Sequence, residues 1–230
     1  MRSRVTQGGF TLVELLVALF AMALLAIMSW RGLDGMTRAQ AQTEARANDV
    51  LTLQVGLAQW AADLDALMQM PQTAALDWNG RVLRLTRRGT ASITDGVLVV
   101  GWTRRVVNGT GTWLRWQSPQ VTTRGELDDA WQKADLWSAN PADADKRHEV
   151  AVTPLDDWQI FYFRENAWTN PQSSAATGAS PPPVPGAPPV PAAPALPDGV
   201  RLVLNLPPGQ AVSGTLTRDW VRPTAGGRQP

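Results

Sequence analysis

Gly9-Phe10-Thr11-Leu12-Val13-Glu14-Leu15-Leu16-Val17-Ala18, with the apolar residues that follow as far as Trp30, decides how this chain is read. From Phe10 to Trp30 the segment FTLVELLVALFAMALLAIMSW is almost wholly apolar, and Arg31 closes it. About 20 such residues carry a helix across a bilayer, so the run is just long enough. Arg2 and Arg4 precede it, which favours a cytoplasmic N-terminus and passage of the rest of the chain across the membrane. A secretory signal would place its small-residue cleavage site after the apolar stretch. Here Ala21-Met22-Ala23 sits inside the run, and the good break, Gly8-Gly9, stands before it. Cleavage there would remove the basic leader, residues 1–9, and leave the membrane helix, residues 10–30, on the mature protein. Glu14 is out of place in such a helix, because a carboxylate in the hydrocarbon region costs roughly 2.5–3.5 kcal/mol on insertion scales. Either it snorkels to the interface or stays protonated, or a partner charge meets it.

Past Trp30 the chain turns amphipathic, with no proline before Pro71. Val50, Leu53, Leu57, Trp60, Leu64 and Leu67 recur at spacings of three and four, which predicts one apolar face of a helix continuing to about Met70. Such a helix, residues 10–70, would reach roughly 90 Å at 1.5 Å per residue. Gly32 and Gly35 weaken it near the membrane surface, each by about 1 kcal/mol relative to alanine. The stripe at 50–67 is read as the core face of a helix packed on a domain, and it covers too few heptads to require a coiled coil.

From Arg81 the pattern changes to short β-rich runs. Strands are predicted at Arg81–Thr86, Gly96–Val107, Thr112–Gln117, Trp158–Phe163, Val200–Leu206 and Thr215–Val221, with Asn108-Gly109 as a hairpin turn. A long helix followed by a largely antiparallel sheet makes the fold α+β, with one periplasmic domain over 71–222. Residues 171–197 hold ten of the eighteen prolines among Ala, Gly and Ser, a composition that favours extended, unpacked chain. Residues 198–230 are too few for a core of their own, so this stretch is read as a long loop between two strands of one sheet, and 223–230 as a tail.

Composition narrows the chemistry. There is no cysteine, so disulfides, thiol nucleophiles and cysteine metal sites are excluded. The net charge is +1, and without the leader it is 19 positive against 20 negative charges, so nothing points to nucleic acid. The single histidine, His148, lies in the polar run Ala144–Glu149, read as a solvated loop, and no G-x-S-x-G accompanies it. Asn140, Asp143, Asp145, Asp156 and Asp157 are oxygen ligands of the kind calcium takes, but without the ordered spacing of an EF-hand loop, and they are read as solvated acidic loops. Trp113 and Trp116 are assigned to core packing over a recognition groove. No catalytic residue, metal or cofactor is expected, and the chain is read as a non-enzymatic protein.

Residues Gly9 to Ala18 resemble the type IV prepilin processing motif of pilins and type II secretion pseudopilins: glycine before the cut, phenylalanine after it, glutamate at the fifth mature position, and an apolar helix behind. The resemblance implies that a prepilin peptidase cuts between Gly9 and Phe10 and that Phe10 is N-methylated. It further implies that Glu14 neutralises the terminal ammonium of a neighbouring subunit, which supplies the missing partner charge. Leu155 to Phe163, then Asn166-Ala167-Trp168-Thr169, then Leu196-Pro197-Asp198-Gly199-Val200-Arg201-Leu202 are similar to the end of the type II secretion minor pseudopilin J family. Leu33-Asp34-Gly35 and the Ala62-Asp63-Leu64 step are similar too, whereas the proline-rich insertion is longer than the family pattern and residues 71–150 match weakly. That family implies a structural subunit of a pseudopilus tip complex that primes assembly and supports export of folded proteins across the outer membrane. Its partners would be the minor pseudopilins I and K, with H a further candidate, and the major pseudopilin. The location would be the inner membrane, single-pass, with the C-terminal domain in the periplasm. A minor pilin of a type IV pilus is the alternative, and a membrane-tethered periplasmic enzyme or receptor a distant one.

Overall fold

The computed structural model describes residues 9–70, 73–89, 96–174 and 195–223. The leader up to residue 8, residues 175–194 of the proline-rich stretch, and the tail from 224 lie outside the described residues.

One helix, α1 (Leu12–Asp65), opens the chain. Its residues through Asn48 form one unit and the chain from Asp49 a second. In the first unit every described residue is exposed, including the apolar side chains from Leu12 to Trp30. That stretch is long and apolar enough to cross a membrane.

In the second unit, the last four turns of α1 pack on strands that, among the described residues, number nine and form two antiparallel sheets. The first has the order β1-β2-β3-β4-β5, built from Leu76–Trp78, Val82–Arg88, Val97–Val107, Thr110–Gln117 and Glu149–Pro154. The second has the order β7-β6-β8-β9, from Ala167–Thr169, Asp157–Arg164, Gly199–Leu206 and Gly214–Val221. The fold is therefore α+β and pilin-like, a long N-terminal helix followed by antiparallel sheet. The hairpin between β3 and β4 turns at Asn108 and Gly109, whose φ values of +50° and +80° are those a tight primed turn needs. Strands β6 and β8 pair with each other, so the proline-rich stretch departs from and returns to the same sheet.

Strand alternation gives the first sheet two buried faces. On one face Leu83, Leu85, Val100, Trp102 and Trp113 join Leu53, Trp60 and Leu64 of α1 and the inner residues Ile160, Tyr162, Leu202 and Leu204 of the second sheet. On the other face Val82, Val99, Leu114 and Trp116 pack on helix α2 (Arg124–Ala139) through Leu127, Ala130, Ala134 and Trp137. Trp102 and Trp113 meet on the α1 side at 4.5 Å between ring centroids, and Trp116 and Trp137 stack on the α2 side at 6.1 Å. Gly101 makes room for the second pair, since a Cβ there would lie 3.2 Å from the Trp137 ring. Trp60, Trp102, Trp113, Trp116 and Trp137 are fully buried and fill this core.

Five features differ from the sequence reading. Helix α2 stands where no helix was predicted, capped by Thr123, whose hydroxyl accepts from the Glu126 N–H while the Glu126 carboxylate accepts from the Thr123 N–H. Strands β1, β5 and β7 are additional; β1 and β7 have three residues each, and β5 has only Val152 and Thr153 turned even partly inward among its central residues. The run around His148 includes a short helix, α3 (Asp143–Lys146), and His148 itself is exposed. A last short helix, α4 (Pro171–Ser174), follows β7. Finally, α1 ends at Asp65 and not near Met70. The Met68 N–H donates to the Thr86 carbonyl at 3.0 Å and the Arg88 N–H to the Ala66 carbonyl at 2.9 Å. Sheet-edge hydrogen bonding wins over one more helical turn, and Leu67 sits in an isolated bridge with Arg87.

Candidate functional site

The N-terminal segment begins with backbone outside the helix at Gly9, Phe10 and Thr11. Phe10 is 88% exposed, and a Cβ placed on Gly9 would meet nothing within 4 Å. Both residues flanking this bond are exposed. Helix α1 starts two residues after Phe10, at Leu12, and its start is set by side chains. The Thr11 N–H donates to the Glu14 carboxylate at 3.1 Å, the Thr11 hydroxyl donates to the same oxygen at 2.9 Å, and the Glu14 N–H reaches back to the Thr11 hydroxyl at 3.4 Å. Thr11-Leu12-Val13-Glu14 is thus a reciprocal capping box. In a bilayer, first-turn N–H groups have no water to bond, and this arrangement satisfies two of them.

The stripe assigned to helix packing divides by depth. Leu53, Trp60 and Leu64 are buried, Val50 and Leu57 are half-buried, and Leu67 lies beyond the helix end, packed on the same core. On this stripe the structure places a group that sequence reasoning missed. Asp63 is wholly buried and its carboxylate accepts from five donors: the Trp102 indole N–H at 3.0 Å, the Arg115 Nε at 2.8 Å and terminal nitrogen at 2.9 Å, the Gln59 amide at 2.9 Å, and Arg87 through a terminal nitrogen. Arg87 and Arg115 are themselves only 10% and 12% exposed. A charge taken this far from water persists only when paired and hydrogen-bonded. Asp65 ties the helix end to the second sheet, accepting from the Trp220 indole at 2.7 Å.

Elsewhere the polar groups are structural or on the surface. On the second sheet's outer face Arg201 lies 4.2 Å over the Trp168 ring and pairs with Asp219 through two contacts of 2.7 Å. The Arg201 guanidinium holds the Asp219 carboxyl below its ordinary range. Burial, with the Asp77 carboxylate adding to it, pushes the Tyr162 phenol far above its own, so it stays neutral. Among the described residues no three His, Asp or Glu side chains gather to hold a metal ion.

An exposed glycine–phenylalanine pair, a helix start built around Thr11 and Glu14, and an apolar membrane-length helix running into an antiparallel domain are together the features of a type IV pilin-like chain. Residues 4–30 match the prokaryotic N-terminal methylation motif, which implies processing by a prepilin peptidase and assembly with other pilins. No curated protein matches the chain in sequence.

Proposed function

We propose that the chain is a minor pseudopilin of a type II secretion system, of the J kind, that acts structurally and carries no catalytic site. The methylation motif at the head of a membrane helix supports the wider class and carries the reading. Support for the finer one comes from the C-terminal signature. Leu155 to Phe163 supply the entry and body of β6, Trp168 packs on Phe163 at 5.1 Å, and Leu196 joins the main core just before β8. The strand residues of that signature pair in one sheet, and Leu155 and Leu196 pack on the core beside it. On this reading the peptidase cuts between Gly9 and Phe10 and methylates Phe10. The subunit stays in the inner membrane with its domain in the periplasm, and Glu14 meets the terminal ammonium of the next subunit. Its partners are the minor pseudopilins I and K, with H a further candidate, and the major pseudopilin.

Intact mass and N-terminal sequencing of the full chain, expressed with and without a prepilin peptidase, test the class. A chain beginning with N-methyl-Phe10 only when the peptidase is present supports it, and an uncut chain in both cases overturns it. Co-isolation from membranes then separates the machines. Recovery of minor pseudopilins supports the secretion reading, whereas recovery of pilus subunits alone replaces it with a minor pilin.

A further inference from the structure

We propose that Asn108 is a site of spontaneous deamidation, at which the carboxamide on the tip of the β3–β4 hairpin becomes a carboxylate without an enzyme. Asparagine followed by glycine is the dipeptide most open to this reaction, because no side chain screens the glycine nitrogen. The sequence holds two such pairs, Asn79-Gly80 and Asn108-Gly109. Both asparagines are exposed, so access to water does not separate them. Their hydrogen bonds do. The Asn79 Oδ1 accepts from the Arg81 N–H at 3.0 Å and the Val82 N–H at 2.9 Å, and its Nδ2 donates to Asp135 at 2.6 Å. Gln172 also closes over Gly80, where a Cβ would lie 2.7 Å from its Nε2. At the hairpin tip, among the described residues, no hydrogen bond holds the Asn108 carboxamide or the Gly109 N–H, and a Cβ on Gly109 would meet nothing within 4 Å. The hairpin is pinned at Gly111, whose carbonyl accepts from the Leu155 N–H at 2.8 Å. Opening the last strand pair, Val107 with Thr110, frees the turn, and local opening at a loop tip costs least. The reaction balances within the chain and water. The Gly109 nitrogen bonds to Asn108 Cγ, the Cγ–Nδ2 bond breaks, and ammonia leaves with the amide proton. Water then opens the succinimide: attack at Cγ gives aspartate, and attack at the backbone carbonyl gives isoaspartate. The second product adds one atom to the main chain of a turn that needs both residues at positive φ. Either product carries a negative charge where a neutral amide stood. The inference stands or falls independently of the secretory role.

The full chain, in detergent at mildly alkaline pH, is incubated and sampled for peptide mapping by mass spectrometry, with isoaspartate measured separately. In the folded chain Asn108 is expected to convert at least about tenfold faster than Asn79, because three hydrogen bonds of ordinary net strength slow release of the Asn79 carboxamide by that much or more. In the chain unfolded in urea the two should convert at similar rates, which assigns the difference to the fold. An Asn108 rate no higher than that of Asn79 in the folded chain would overturn the proposal. Asp135→Ala removes the Nδ2 partner of Asn79 and is expected to raise the Asn79 rate while leaving Asn108 as it was. An Asn79 rate unmoved by that substitution would show that its hydrogen bonds are not what protects it, and the contrast drawn between the two turns would fall.

Discussion

Replacing Asp63 by alanine removes one carboxylate and strands five donor atoms, three of them on two guanidinium groups at 10% and 12% exposure. Breaking a buried pair by deleting one partner typically costs about 3–5 kcal/mol, because the surviving charge stays out of water. The upper half of that range applies here, since two arginines lose their counter-charge at once and the Trp102 indole loses its acceptor. For a domain of this size each kcal/mol moves the midpoint by about 2–4 °C, so a fall of roughly 8–20 °C is expected. Thermal unfolding of the full chain in detergent, followed by tryptophan fluorescence, reads it directly, because Trp102 and Trp113 are stacked on the affected face. Arg201→Ala, which breaks the half-exposed pair with Asp219, is the control and should leave the midpoint almost unmoved. A fall of less than about 2 °C for Asp63→Ala would show that the two arginines re-solvate freely, and the account of this cluster would be wrong.

Gly56→Ala should destabilise by about 1–2 kcal/mol despite alanine's better helix propensity, because its Cβ collides with the stiff Val152 side chain; adding Val152→Ala should recover most of that loss in denaturant melts. Thr123→Ala removes the cap of α2 and should cost about 0.5–2 kcal/mol, visible as faster amide exchange in the first turn. The Thr122 and Thr123 backbone N–H groups hold the Glu126 carboxyl below its ordinary value of 4.5. Its contribution is therefore complete above that value and lost as pH falls through the lower native one, so a pH series of the same exchange should show the first turn loosening only in acid. Glu14→Ala should leave cleavage after Gly9 intact while reducing co-isolation with partner subunits; unchanged co-isolation and secretion would remove the charge-pairing role proposed for it.

Much of the architecture was legible because hydrophobic periodicity is local. The α1 stripe, the hairpin at Asn108-Gly109 and the alternation in β8 each announce themselves within a few residues. Helix α2 was equally local and was overlooked. Thr123-x-x-Glu126 is a capping box, and Leu127, Ala130, Ala134 and Trp137 follow at helical spacing. Strands β1 and β7 are too short for a period to be counted, and β5 buries too little to alternate. Asp63 is a different kind of miss. Its arginine partners lie 24 and 52 residues downstream, and nothing in a single chain says which distant cations will face one acid on an apolar stripe. The methylation motif over residues 4–30, by contrast, was legible, because such a motif is written in linear sequence.

The capping box at Thr11 and Glu14 bears on a problem every one-dimensional polymer has, namely its ends. If each subunit's glutamate were satisfied only by the next subunit's terminus, one glutamate at an extremity of the fibre would always face lipid alone. Here the carboxylate already has donors from its own backbone and from a hydroxyl. On the pairing proposed for Glu14, a neighbour's ammonium would displace an existing arrangement and not rescue a bare charge. On that reading a terminal subunit, or one waiting in the bilayer before any neighbour arrives, would keep its carboxylate hydrogen-bonded, and growth could pause without leaving a bare one.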